Sequence, residues 1–505
     1  MTSERLAARL VMVGARCGED EIEGSRREVL RLVRDLGVGG LIIFGGRRET
    51  VGELIAEVRA ASHGPLLVAS DLERGLGWQV KGGTLLPCPM AIAASGDTSL
   101  AFEAGRVTGS EARDVGIDLV FAPVADLADR PDNPIVSNRS FGGDPHAVRR
   151  FVQAFIRGCH AGGAAATAKH FPGHGRTRTD SHIELPTVDA PEERLRGRDL
   201  VPFRGAIEAG VDAVMTAHVA YPALDASGGP AGFSRTVVTG LLRREFGFDG
   251  LVVTDALVMG GVTANGAEAA RRALAAGSDV LLAPADARET VESVAGEIEE
   301  DPGTASQAER SVERIEALVR RVRSVTPPPV DGSELADRIA GAGATVLRGS
   351  VGPDIGSAAD VAVVIAGERR RLPDAPELLT ALPRAVRGHG ILRLDERGEM
   401  MDKACEAARS AELTLVALYD EPAAWRGGHL PPDAVVGGVR SLLRVARNAV
   451  LVLCCPPFVL SELDADCPVI CVWDTAPASE RAAAGVLLGR SAPGTQPDVL
   501  PGDGA

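Results

Sequence analysis

Short apolar runs alternate with longer amphipathic stretches over the first 325 or so residues of the chain. The runs are ARLVMVG, VGGLIIFGG, GPLLVASD, GIDLVFAPVADL, AAATAKHF, DAVMTAHV, DGLVVTDAL and SDVLLAP. Between several of them, apolar residues recur every three or four positions, at 47–63, 100–115, 148–161 and 192–209, and predict helices. Apolar runs flanked by such helices predict buried parallel strands in βαβ units. Eight units in about 300 residues predict an α/β fold that opens with an N-terminal (β/α)8 TIM-like barrel, with a doubly wound sheet as the alternative.

A further helical pattern at 308–323 leads into SVTPPPVDGSE, whose prolines and glycine predict a stiff linker over 325–334. The pattern then restarts with ADVAVVIAG, AELTLVALYD, NAVLVLCCPP and CPVICVWDTA, with helical stretches at 400–410, 434–447 and 478–488. The expected organisation is a barrel over 1–324, the linker, and a smaller C-terminal α/β sandwich over 335–505. The tail SAPGTQPDVLPGDGA reads as poorly ordered.

Composition narrows the class. The chain is 505 residues, 45% hydrophobic and 24% charged, with a formal net charge of −15. That sign opposes non-specific nucleic-acid binding, which needs a positive field. No run approaches the length of a membrane span, and the first residues lack a signal-peptide layout, so the expectation is a cytoplasmic protein. The eight cysteines include no CxxC pair and mostly lie in apolar runs, which predicts reduced core thiols. Nothing in the sequence sets an oligomeric state.

Reactive residues cluster just past the ends of several predicted strands: Asp71, Asp126, Lys169, His170, His218 and Asp255. A barrel gathers those ends on one face. The densest segment is AKHFPGHGRTRTDSHIELP, residues 168–186, which holds three of the chain's 9 histidines together with Lys169, Asp180 and Glu184. A metal site and a solvated loop both compete for it, but no HExxH or cysteine set supports a metal. Asp180 and His182 are two residues apart, close enough for the carboxylate to fix the imidazole's tautomer and raise its basicity. Such a histidine can protonate a leaving oxygen and then take a proton from water. In DGLVVTDALVMGGV, Asp255 ends a buried run and reads as a nucleophile or a structural cap. In VASDLERGLGWQV, Asp71 and the aromatic Trp78 suit a carbohydrate. In NRSFGGDP, Arg139 suits an anion or amide oxygen, or a surface pair with Asp132 or Asp144.

These segments together resemble glycoside hydrolase family 3, and most of all its β-N-acetylglucosaminidase branch, on KHFPGHG…DSH…LP and on the match over about residues 5–290. CPVICVWDTAPASERAAAGVLLGRSAPG is similar to the end of that family's C-terminal sandwich. The resemblance implies Asp255 as nucleophile, His182 as acid/base on a mobile loop, and Asp180 as its partner. It implies Asp71, Arg139, Lys169 and His170 as sugar ligands, and His218 and Trp78 join them as candidate substrate contacts. The implied reaction is retaining exo-hydrolysis of terminal β-linked GlcNAc from small glycans or muropeptides, as in peptidoglycan turnover, with no cofactor and no metal. A β-glucosidase or β-xylosidase of the same family, and a β-GlcNAc phosphorylase, are the alternatives. The chain departs from the family pattern at Ala256, where a second acid is usual, and at Gln79, near the place of an arginine. Aromatics are 3% of the chain, so extended stacking subsites are not expected and a small fragment is the expected partner.

Overall fold

The computed structural model describes residues 1–262, 266–350, 360–382, 391–422, 426, 428 and 430–497. The chain forms two compact units. The first comprises Met1–Leu85, Ala101–Leu127 and Asp144–Gly332, and the second Leu86–Leu100, Ala128–Gly143 and Ser333–Ala505. Two short excursions from the N-terminal part thus belong to the second unit. The proline-rich stretch stays with the first unit, where the Ser110 hydroxyl donates to the carbonyl of Pro328.

The first unit is the expected barrel. Its strands are β1 (Val11–Arg16), β2 (Gly40–Phe44), β3 (Leu67–Ser70), β4 (Leu119–Val120), β5 (Ala165–Phe171), β6 (Ala213–Thr216), β7 (Leu251–Thr254) and β8 (Leu281–Leu282). They pair in parallel in the order β7-β6-β5-β4-β3-β2-β1-β8, and a bridge between Val253 and Val280 joins the two ends. Strands buried on both faces need apolar residues throughout, so these segments read as continuous runs rather than alternating ones. β4 is two residues long, and the backbone beyond it still bonds to its neighbours through the Phe121 N–H and the Ala122 carbonyl.

A local repeat sets the strands from below. Gly116-Ile117-Asp118, Gly210-Val211-Asp212 and Gly277-Ser278-Asp279 lead into β4, β6 and β8. Each glycine ends a helix at positive φ (96°, 78° and 119°), where a side chain is strained. Each aspartate accepts an N–H near the start of the preceding strand: Val68 at 3.1 Å, Ala166 at 2.8 Å and Val252 at 2.8 Å. The barrel's last helix, Pro302–Arg323, supplies one arginine to each carboxylate. Arg323 meets Asp118 at 2.9 Å, Arg314 meets Asp279 at 3.1 Å, and Arg321 pairs with Asp212. The helix itself is capped by Asp301, which accepts the Thr304 N–H at 2.8 Å.

The second unit is a six-stranded sheet of β9 (Thr345–Arg348), β10 (Val361–Gly367), β11 (Ile391–Leu394), β12 (Leu413–Tyr419), β13 (Ala449–Cys454) and β14 (Val469–Cys471). The order is β11-β10-β12-β13-β14-β9, parallel except for β9. Alternate residues feed two cores: Val364, Val416 and Leu451 on one face, Ile365, Leu415 and Val452 on the other. This is the expected sandwich. The sequence pattern missed β9 and β11, the edge strands, which carry Arg348 and Arg393 among their apolar residues and so lack the continuous run of the inner strands.

All eight cysteines are free, seven of them buried. The expectation of a loose tail is corrected for its first residues. Gly494 donates to Ala344 at 3.0 Å and Thr495 to Ala94 at 2.8 Å, so backbone bonding holds the segment. The rest of that tail, from 498 on, lies outside the described residues. Among the described residues no helix is long and apolar enough to cross a membrane.

Candidate active site

The chemistry-bearing residues of the first unit sit just beyond the C-terminal ends of its strands, or in the loops that follow. After β3 come Asp71 and Glu73, and near the end of β5 comes Lys169. The Lys169 ammonium lies 2.7 Å from Asp71 Oδ1 and 2.6 Å from Glu73 Oε1. Lys169 is 2% exposed and Glu73 is buried, while Asp71 keeps partial access to solvent. Two carboxylates on one buried cation satisfy the charge and leave Asp71 with oxygen capacity for a ligand hydroxyl. Trp78, in the short helix Leu76–Trp78, is 39% exposed, with the Arg74 guanidinium 4.7 Å from its ring centre. The side-chain oxygen of Gln79 accepts the Gly45 N–H at 3.2 Å, so this residue supports the barrel's own backbone.

Asp126, fully buried after β4, organises the loop that follows β5. Its Oδ2 is 2.7 Å from His170 Nδ1, and its Oδ1 accepts the His174 N–H at 2.6 Å. Burial alone would raise this carboxyl, but His170 and His174 outweigh it and hold Asp126 below the usual range. His174 is itself buried. Its Nδ1 lies 2.9 Å from Thr177 Oγ1 and its Nε2 2.9 Å from Ser181 Oγ. Burial pushes its imidazole down to about 4, with His170 adding to the effect.

The loop then turns at Asp180, Ser181 and His182. Asp180 Oδ1 is 2.7 Å from His182 Nδ1 and accepts the His182 backbone N–H at 2.8 Å. Asp180 is buried, while the His182 side chain is 21% exposed. With Nδ1 tied to the carboxylate, Nε2 is the atom left to exchange a proton.

Asp255 follows β7. Its Oδ1 accepts the Ala256 N–H at 2.8 Å, and its own N–H reaches the Thr216 carbonyl at 3.1 Å. Burial opposes its charge, yet His170, His218, His182 and the Ala256 N–H together hold it below the ordinary carboxylate range. His218, after β6, is fully buried against the backbone of Asp255 and Ala256. Burial lowers its pKa, against the pull of Asp255. The segment after Asp255 packs on the histidine turn. Gly260 donates to the His182 carbonyl at 3.0 Å and Gly261 to that of Ser181 at 2.8 Å. A Cβ at Gly260 would come within 2.4 Å of the Ile183 carbonyl oxygen, and one at Gly261 within 2.7 Å of that of Ser181. Only glycine allows that approach.

The structure therefore groups Asp71 with Lys169, and Asp180 with His182. The charges of His170, His218 and His182 all act on Asp255. Arg139 belongs to the second unit, in the short helix Ser137–Arg139, where its Nη1 donates to the Ile135 carbonyl at 3.1 Å. The partner side of the Arg139 alternative has its own contacts: Asp132 pairs with Arg130 at 2.8 Å, and Asp144 caps a helix at the Ala147 N–H at 2.5 Å. The sequence reading gave no role to Asp126, Glu73 or His174. Their partners lie elsewhere in the chain, and only the proximity of His174 to Thr177 and Ser181 was visible in the loop. Among the described residues no group of three or more potential ligands could hold a metal ion.

Residues 2–323 match the family described as Glycosyl hydrolase family 3 N terminal domain. A beta-hexosaminidase of Tolumonas auensis is 43% identical over 272 residues, 52% of this chain and 79% of that protein. One of Pseudomonas aeruginosa is 43% identical over 259 residues, 50% of this chain and 76% of that protein. A glycoside hydrolase family 3 beta-N-acetylglucosaminidase from Paenibacillus sp. str. FPU-7 is 31% identical with a TM-score of 0.87, covering 99% of both chains. A beta-glucoside phosphorylase, BglX, at 21% identity and a TM-score of 0.85 over 99% of this chain and 93% of its own, shares the fold.

Proposed function

Because this chain belongs to glycosyl hydrolase family 3, we propose that it releases terminal β-linked N-acetylhexosamine from small glycans or muropeptide fragments with net retention. In this reading Asp255 attacks the anomeric carbon while His182 gives the Nε2 proton to the leaving oxygen. The C–O bond to the aglycone breaks as the bond to Asp255 forms. His182 Nε2 then takes a proton from water, the hydroxide oxygen bonds the anomeric carbon, and Asp255 leaves as carboxylate. Asp180 keeps the imidazole in the Nδ1–H tautomer throughout. Asp71, Lys169 and His170 hold the sugar ring, with Trp78 at its edge, while the fully buried His218 acts on Asp255.

The observation that carries this reading is the His182 imidazole held through Nδ1 by the buried Asp180 carboxylate at 2.7 Å, on a turn that the segment after Asp255 bonds through Gly260 and Gly261. The hexosamine specificity is supported by the beta-hexosaminidases among the relatives. The test is trapping with 2-fluoro or 5-fluoro glycosyl donors, paired with turnover of p-nitrophenyl β-GlcNAc and β-glucoside. A peptide mass shift at Asp255 and preference for the GlcNAc substrate are expected. Label on another residue removes the nucleophile assignment, and preference for the glucoside removes the sugar assignment.

One feature favours a second reading. A neutral imidazole repels an anionic acceptor less than a carboxylate would, so phosphate can compete with water for the glycosyl-enzyme. Product analysis in phosphate buffer distinguishes the two, and absence of any sugar 1-phosphate leaves hydrolysis alone.

A further inference from the structure

His174 takes no part in the mechanism above, yet it is a buried polar side chain bonded at both ring nitrogens. Its tautomer follows from its neighbours. The Thr177 hydroxyl donates to the His174 carbonyl at 3.1 Å, so its oxygen is the acceptor for His174 Nδ1–H at 2.9 Å. Nε2 then carries the lone pair, and the Ser181 hydroxyl, 2.9 Å away, donates to it. Ser181 is the residue between Asp180 and His182.

The other end of His174 is fixed to the floor of the site. Its backbone N–H reaches Asp126 Oδ1 at 2.6 Å, and the same carboxylate holds His170 Nδ1 at 2.7 Å. Its ring meets that of His170 edge-on, with centroids 5.9 Å apart and 76° between planes. On the far side, the Ser181 carbonyl accepts the Gly261 N–H at 2.8 Å. One residue of the turn is thereby bonded both to the Asp126–His170 pair, through His174, and to the segment that follows Asp255.

We propose that His174 is a positioning residue for the acid/base turn: its Nε2 accepts the Ser181 hydroxyl and so registers the Asp180–His182 pair against Asp126, His170 and Asp255. This rests on the reading of His182 as acid/base. A neutral imidazole is required for Nε2 to accept, and burial keeps it so. Burying a hydroxyl and an imidazole costs more than burying apolar groups unless they bond each other, so the pair's gain is geometric definition of the turn.

The test compares His174→Gln with His174→Asn. Glutamine reaches the position of Nε2 and offers a carbonyl acceptor to Ser181, whereas asparagine reaches only the position of Nδ1. Each variant is assayed with an activated aryl β-GlcNAc and with an unactivated alkyl or disaccharide substrate. Misplacing the acid by about 1 Å costs up to about 100-fold. His174→Asn and Ser181→Ala are therefore expected to lose on the order of 10- to 100-fold in kcat/KM on the unactivated substrate and less than about threefold on the activated one. His174→Gln is expected to keep the wild-type ratio of the two substrates. The double variant His174→Asn/Ser181→Ala should lose no more than either single change, since both remove one interaction. Equal losses on both substrates, or identical ratios for Gln and Asn, overturn the proposal. His182→Ala serves as reference: if it shows no leaving-group dependence, the acid/base assignment itself fails, and if it shows one while His174→Asn does not, the positioning role alone fails.

Discussion

Asp180 Oδ1 receives both the ring Nδ1 and the backbone N–H of His182, at 2.7 and 2.8 Å. A single buried carboxylate oxygen thus fixes the imidazole's rotation and its tautomer together. His182→Ala is expected to lower kcat/KM for unactivated glycosides by about 100- to 10,000-fold, the range of a general acid, and far less for p-nitrophenyl glycosides. Asp180→Asn should show the same leaving-group dependence, because an amide no longer selects the Nδ1–H form. Equal loss on both substrate types would falsify the acid role.

Asp255→Asn keeps the shape of the side chain and removes its charge. Turnover should fall to the limit of detection, with the melting temperature within a few degrees of wild type. Steady-state rates and a thermal melt on the same preparation check this. Retention of more than about one part in a thousand of kcat would point to another nucleophile.

Lys169 pairs with both Asp71 and Glu73 in a place where water reaches mainly Asp71. Lys169→Met removes the ammonium that both carboxylates share. The expected cost is about 3–5 kcal/mol of stability, the range for breaking a buried ion pair, together with a raised KM. Denaturant unfolding and substrate saturation curves measure the two effects separately. An unchanged midpoint would mean that the carboxylates find other partners.

His174 has a pKa of about 4 in the folded protein against an ordinary value of 6.5. Between those values the unfolded chain binds a proton there that the native protein refuses, so stability falls as pH drops from 6.5 towards 4 and is fully present above 6.5. The difference corresponds to about 3 kcal/mol. His218 acts in the same direction. Urea unfolding of wild type and His174→Gln at several pH values should show a shallower acid slope in the variant. Parallel slopes would contradict a buried neutral His174.

The floor of the barrel offers a test remote from catalysis. Asp279 accepts Val252 N–H and the Ser311 hydroxyl, and it pairs with Arg243 and Arg314. Asp279→Ala takes the shared carboxylate from Arg243 and Arg314 and should cost about 3 kcal/mol or more, with the KM of the protein that remains folded unchanged. A changed KM would show that the floor and the catalytic face are coupled.

The barrel was legible because parallel strands buried on both faces leave long apolar runs. The edges of the second sheet were not, because β9 and β11 carry arginines within four-residue strands. The excursions at 86–100 and 128–143 were also missed, since nothing in their composition marks them as leaving the barrel unit. The Gly-x-Asp repeat escaped because its three copies are unequally spaced and differ at every other position. At the site, residue types at strand ends identified Asp71, Lys169, His170 and Asp255 as candidates. The pairing of Asp126 with His170, 44 residues apart, depends on how β4 lies beside β5. Asp180 and His182 were readable as a pair because their contact is local.

The arginines of the final barrel helix also govern when the fold can be finished. A ring of strands has no edge to grow from, and β1 must wait for β8 before its second neighbour exists. Asp118, Asp212 and Asp279 each lack one cation until Arg323, Arg321 and Arg314 have been synthesised. During translation the ring cannot close before β8 has cleared the ribosome, the three carboxylates gain their last partners only with residue 323, and an excised catalytic fragment keeps all three pairs only if it ends beyond that arginine.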